Sequence, residues 1–111
     1  MIFITGTTGL VGAHLLEFLL SKNHEVKALI RKEEDKKTFR FDTKNVQWIV
    51  GDVLDINVID EALKGVEKVF HCAAIVSYSS KRVSEMKQIN IEGTANIVNL
   101  CLENNIEKLC Y

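Results

Sequence analysis

Met1-Ile-Phe-Ile-Thr-Gly6-Thr-Thr-Gly9-Leu-Val-Gly12-Ala-His-Leu-Leu16 is the stretch on which the reading of this chain turns. An apolar run, Ile2 to Ile4, breaks at Gly6, and a helix-period pattern of Leu10, Val11, Ala13, Leu15, Leu16 and Leu19 begins almost at once. Strand, tight glycine turn and helix in that order aim a helix N-terminus, with its free N–H groups, at an anion. The glycines have separate tasks. Gly6 turns the backbone off the strand, Gly9 leaves room for a pyrophosphate against main chain, and Gly12 lets the helix pack close on the strand. The spacing, G-x-x-G-x-x-G, is a variant of the common dinucleotide fingerprint, and the strand and helix around it supply the context that the fingerprint needs. Thr8, Leu10 and Val11, between the glycines, are candidate ligand contacts with Gly6, Gly9 and Gly12.

Outward from that turn, Asn23 is placed as a left-handed helix stop. Glu25 to Ile30 reads as a second strand and Val46 to Val50 as a third, closed by Gly51, Asp52 and Val53. Asp55 is expected to cap a short helix that stops at Gly65. Val66 to His71 is a fourth strand, leading into Cys72, Ala73 and Ala74. A loop through Tyr78 precedes a long helix from about Arg82 to Glu103, and Ile106 to Tyr111 opens a fifth strand. The charged piece from Arg31 to Lys37 is a solvated loop or short helix.

Alternating strands and helices predict an α/β domain with a doubly wound parallel sheet of Rossmann type, strand order 3-2-1-4-5. The ligand crevice then lies at the carboxyl ends of strands one and four, where the winding reverses. Residues just after each strand should line it: Gly6 to Gly12, Arg31, Asp52 with Val53, and Cys72 to Ala74.

The 111 residues predict one domain, with 47% apolar residues to fill a core. Lys plus Arg number 14 against 15 Asp plus Glu, so no strong field favours nucleic acid or an acidic membrane. The apolar N-terminal stretch lacks a basic flank and carries three glycines, unlike a signal peptide or a membrane span. Cys72, Cys101 and Cys110 fit neither a zinc pattern nor a disulfide framework, and read as reduced, buried thiols of a cytoplasmic protein.

Arg31 bears on cofactor choice. An NAD-selecting fold usually carries an acid at the end of strand two, for the ribose 2′-hydroxyl. A guanidinium there suits a 2′-phosphate, which favours NADP over NAD, while Glu33 and Glu34 are near enough to swing in and a solvated loop role for Arg31 stays open. Asp52 is positioned to reach an adenine amino group, with Val53 packing on the ring; a helix-capping role for Asp52 competes, though Asp55 is better placed for that. Ala73 and Ala74 are small enough to let pyrophosphate and ribose approach. His71 reads as a hydrogen-bonded structural residue, and Cys72 has no evident base beside it.

Thr5 to Gly12, Gly51 to Asp55, His71 to Ala74 and Asn90 to Asn96 together resemble the ordered motifs of the extended short-chain dehydrogenase/reductases, the group of nucleotide-sugar epimerases and dehydratases, 3β-hydroxysteroid dehydrogenases and dihydroflavonol-type reductases. The resemblance runs along the whole chain, and Val26 to Arg31 is most similar to the reductase-like branch, where the arginine faces NADP. It implies that Asn90 and Thr94 lie on the long helix beside the site, Asn90 fixing main chain or water.

The same resemblance implies a catalytic Tyr with a Lys four residues later, the lysine lowering the phenol's pKa so that it acts as a base. Tyr78 is followed by Arg82 at that spacing and Tyr111 by nothing. The expectation is therefore the cofactor-binding front of a longer NAD(P)-dependent oxidoreductase or epimerase/dehydratase, inactive alone, with a small-molecule substrate and a homo-oligomeric state. A non-catalytic NADP(H)-sensing module and a purely structural α/β unit are the alternatives.

Overall fold

Four consecutive buried residues, Ile2–Thr5, form β1, the middle strand of the sheet, in the computed structural model, which describes residues 1–72, 84 and 88–110. The chain continues through α1 (Leu10–Ser21), β2 (Val26–Ile30), an exposed 3₁₀ turn (Glu33–Thr38), β3 (Val46–Val50), α2 (Ile56–Ala62) and β4 (Lys68–His71). A π-helical turn (Gln88–Gly93) runs into α3 (Thr94–Glu103), and β5 (Lys108–Cys110) follows. The strands lie in the order β3-β2-β1-β4-β5, every pair parallel, as the motif order implied. Ile2 faces Val26 on one side and Lys68 on the other, and Ile30 pairs with Val50, so the carboxyl ends of the strands line up along one edge.

Alternation along β1 divides the core into two layers. Ile2 and Ile4 pack with Leu16 and Leu19 of α1 and with Val26 and Ala28 of β2. Phe3 points the other way, into a cluster with Leu29, Ile59 of α2, and Ile97, Leu100 and Cys101 of α3. Phe3, Ile4, Leu16, Ile59 and Ile97 are fully buried, and each contributes roughly 1.5–3 kcal/mol relative to exposure. These layers clamp the strand from both faces and hold the turn after it in place.

Several helix ends follow from single residues. Asn23 ends α1 with φ +62°, and Gly65 closes the α2 segment with φ +76°. Lys27 reaches from β2 to donate to the Ala62 and Lys64 carbonyls at 3.0 and 2.9 Å, a cation at the negative end of α2.

Asp55 departs from expectation. It occupies the N-cap position of α2, yet its side chain makes no capping hydrogen bond. Its ψ of 83° falls short of the extended conformation that aims a cap carboxylate at the first-turn N–H groups. The entry to α2 is instead held by Asp52, whose carbonyl accepts the Asp55 N–H at 2.9 Å and whose Oδ1 accepts the Leu54 N–H at 3.0 Å.

The thiols depart in part. Cys101 is buried and Cys72 half-buried, but Cys110 is exposed, because β5 is the outer strand of the sheet. Among the described residues no helix is long and apolar enough to cross a membrane. Ala73, Ala74, the loop through Tyr78, the start of the long helix near Arg82, and Tyr111 lie outside the described residues.

Candidate functional site

The turn between β1 and α1 is closed by its own backbone. Gly6 adopts φ +73°, a left-handed conformation that side chains rarely tolerate, and its carbonyl accepts the Gly9 N–H at 3.1 Å. Gly9 is the N-cap of α1 and has no side chain with which to cap it. The first turn carries no acid either, so the N–H groups of Leu10, Val11 and Gly12 lack an acceptor one turn back and stand with the positive end of the dipole uncompensated.

The three glycines differ physically. A Cβ on Gly12 would stand 2.0 Å from the Gly6 carbonyl oxygen and 2.6 Å from its carbon, so α1 can approach the turn only through a bare Cα. A Cβ on Gly9 would meet that oxygen at 3.4 Å, ordinary contact. The fold therefore demands glycine at position 12 and tolerates a side chain at position 9.

Leu10 and Val11, candidate ligand contacts, stand clear of the core. They are 78% and 71% exposed, because the tight turn carries the first helical residues past the end of β1. Thr8 is exposed beside them. Thr7 is the reverse. Its side chain is 1% exposed, and among the described residues its hydroxyl has no hydrogen-bond partner. A buried orphan hydroxyl costs about 1–3 kcal/mol unless something satisfies it.

At the neighbouring strand ends, parallel register brings Arg31 and Asp52 together. The Gly51 N–H donates to the Ile30 carbonyl at 2.9 Å, and one step on, the Arg31 guanidinium lies 3.5 Å from Asp52 Oδ2. The Asp52 carboxylate thus has one oxygen on the Leu54 N–H and the other on Arg31. Val53 follows, but its side chain is in the core, against Gly93, where an added Cβ would come within 2.5 Å of Val53 Cγ2. Asn96 Nδ2 donates to the Val53 carbonyl at 3.1 Å. The face of a ring bound here would accordingly meet Asp52 and main chain, not the Val53 side chain.

His71 closes the wall between β4 and α3. Its Nδ1 lies 2.8 Å from Thr5 Oγ1 and its Nε2 3.0 Å from Thr94 Oγ1, so both ring nitrogens are occupied by hydroxyls. Burial pushes its pKa below the ordinary value, favouring the neutral ring. The structural role expected for His71 holds. Because the unfolded chain, with a pKa of about 6.5, takes up the proton first, this contribution is complete above that pH and is lost as acid approaches the folded value. We expect stability to fall from about pH 7 to about pH 5, and His71→Gln to flatten that slope in urea unfolding at the two pH values. An unchanged slope would show that the ring's protonation is not linked to folding.

Cys72 donates its N–H to the Thr5 carbonyl at 3.3 Å, tying the end of β4 to β1, and burial raises its thiol pKa, away from a reactive thiolate. Asn90 sits half-buried in the π-helical turn, and π-helical segments recur at functional sites. Thr5, Thr7 and Asn96 were not singled out from sequence. Thr5 and Asn96 bound two of the quoted motifs and Thr7 lies within one, the signal that could have marked them. An open groove of about 680 Å³ lies at the opposite ends of the strands, lined by Met1, Val26, Gln47 and acids including Glu17, and takes no part in this arrangement.

A family model described as the NAD dependent epimerase/dehydratase family matches residues 2–111. The chain belongs to this family. It is similar to a sterol demethylase protein B of Methylococcus capsulatus, 37% identical over 82% of this chain and 27% of that protein's length. A decarboxylating sterol-4-alpha-carboxylate 3-dehydrogenase of Dictyostelium discoideum is 32% identical over 90% of this chain and 30% of its own. The UDP-glucose 4-epimerase of Thermus thermophilus, solved in complex with NAD, superposes with a TM-score of 0.79 at 26% identity, covering 97% of this chain and 35% of that one. This chain therefore spans about a third of the length of the relatives it matches.

The residues present fit the family's dinucleotide. The acid-free start of α1 and the space over Gly9, where an added Cβ would meet only the Gly6 oxygen at 3.4 Å, suit a diphosphate.

Proposed function

We propose that this chain is the cofactor-binding part of an enzyme that moves a hydride between NAD(P) and a carbon-bound hydroxyl, as a dehydrogenase/reductase or as a nucleotide-sugar epimerase or dehydratase. The observation that carries the reading is the start of α1, a helix end with a glycine at its N-cap and no acid in its first turn, set on a turn packed too closely for a Cβ at Gly12. The pyrophosphate takes the N–H groups of Gly9 to Gly12, with Gly6, Thr8, Leu10 and Val11 bounding it. Arg31 and Asp52 flank the adenosine end, with the Val53 backbone beneath. Ala73 and Ala74, after Cys72 in the chain, are small enough to let pyrophosphate and ribose approach, and Asn90 fixes main chain or water. When bound, the dinucleotide supplies the hydride acceptor or donor, and these residues hold it and exclude water.

Arg31 at the end of β2 favours NADP over NAD. The 111 residues contain no Tyr with Lys four positions on, so the expected behaviour of this chain is nucleotide binding without turnover. Fluorescence titration with NADPH and NADH tests the reading. Saturable binding without reduction or oxidation of a carbonyl or alcohol panel is expected, and binding of neither nucleotide would overturn it. Saturable binding combined with turnover by these residues alone would remove the claim of inactivity.

Self-association is part of the same proposal. Ile91 in the π-helical turn and Leu102 in α3 are 66% and 74% exposed, and the outer edge of β5 offers a second surface. Leu102→Glu should shift sedimentation toward the monomer. A protein that is monomeric before substitution would sink this part. Three free thiols are consistent with a cytoplasmic location.

A further inference from the structure

We propose that Asp52 restrains the preference of this site for a 2′-phosphorylated dinucleotide, by holding the Arg31 guanidinium in an ion pair and by placing a carboxylate beside the phosphate that Arg31 would receive. The inference rests on the cofactor reading above and goes beyond it, since that reading gives Arg31 and Asp52 separate tasks. In the structure they are not separate. Arg31 Nη2 lies 3.5 Å from Asp52 Oδ2, across the paired ends of β2 and β3.

The two halves of the pair are unequal. The Asp52 side chain is 33% exposed and anchored through Oδ1 to the Leu54 N–H, whereas the Arg31 side chain is 57% exposed and long enough to leave. A 2′-phosphate that draws the guanidinium away leaves the carboxylate in place, within one side chain's reach of the new anion. NADP binding therefore gives up one ion pair and gains a like-charge neighbour, while NAD binding meets neither penalty. An arginine alone at this strand end would favour the phosphate strongly. The pairing with Asp52 lessens that preference by the modest amount that a partly exposed ion pair is worth.

Asp52→Asn is the discriminating substitution. Asparagine keeps the Oδ1 that accepts the Leu54 N–H, so the entry to α2 is retained, and only the charge is removed. Equilibrium binding of NADPH and NADH is measured by nucleotide fluorescence on the protein and on Asp52→Asn, at low and at high salt. The ratio of the two affinities is the readout, because any loss common to both cofactors cancels. The ratio should rise toward NADPH by about threefold to fivefold at low salt, and by less at high salt, as expected for partly exposed charges. In Arg31→Ala, which has no guanidinium to release, the ratio should favour NADH, and adding Asp52→Asn should reduce that bias. An unchanged ratio in Asp52→Asn, with both nucleotides still bound, overturns the inference and leaves the cofactor reading standing. A fall toward NADH overturns it too, and makes Asp52 a residue that steers Arg31 onto the phosphate. Binding of neither nucleotide by the unsubstituted protein removes the cofactor reading and this inference with it.

Discussion

Gly12→Ala should cost this protein more stability than any other single methyl group in the turn. The added Cβ stands 2.0 Å from the Gly6 carbonyl oxygen and 3.0 Å from the Thr7 Cα, and these are backbone atoms that cannot rotate away. Gly6 is itself fixed by its left-handed φ and by the Gly9 N–H on its carbonyl. Relief requires α1 to back away from the strand. Leu16 and Leu19, which pack on Ile2 and Ile4, move with it. The expected loss is about 3 kcal/mol or more, a large part of the roughly 5–15 kcal/mol that holds a domain of this size. A fall in melting temperature of roughly 10–20 °C should be seen by circular dichroism. A shift of a degree or two would mean that α1 is not seated as described.

Gly9→Val should do the opposite, removing nucleotide binding while leaving the fold. The Gly9 backbone has φ −83° and ψ 168°, an extended conformation that a β-branched residue adopts readily. Its nearest neighbour to an added Cβ is the Gly6 oxygen at 3.4 Å. The folding cost is the poorer N-cap, about 1 kcal/mol. An isopropyl group over the first-turn N–H groups, however, occupies the place where a diphosphate must lie. Affinity for NADPH and NADH should fall by about a hundredfold or more, equivalent to roughly 2.7 kcal/mol. Binding that survives in a folded Gly9→Val protein would mean that the anion does not sit on the start of α1. The two glycines thus separate two demands that a sequence motif merges: position 12 serves the fold, and position 9 serves the ligand.

Much of this was legible in the chain itself. The apolar run from Ile2 to Ile4 ending in a glycine turn identifies β1, and the alternation of strand and helix patterns yields the parallel order, since right-handed crossovers permit few others. Asn23 and Gly65 announced the helix stops, because few residues accept a positive φ. His71 read as structural from its position at the end of a buried strand, and two hydroxyls satisfy it.

Local pattern misled where geometry depends on what comes next. Val53 was expected to pack on a bound ring, yet its side chain lies in the core, because the space beside Gly93 comes from an element forty residues on. Asp55 has the right residue type for a cap and the wrong backbone angle.

Sequence alone determined the parallel sheet, its strand order and the place of the glycine turn, because these follow from short-range rules of period, handedness and glycine geometry. Only the tertiary structure decided which side chains meet. Arg31 and Asp52 become partners through the pairing of Ile30 with Val50. Thr5 and His71 meet across 66 residues. Val53 turns into the core because Gly93 leaves space for it. Those contacts join residues distant in the chain, and their geometry is set by register and by ångström-scale packing, to which a pattern of residue types is blind.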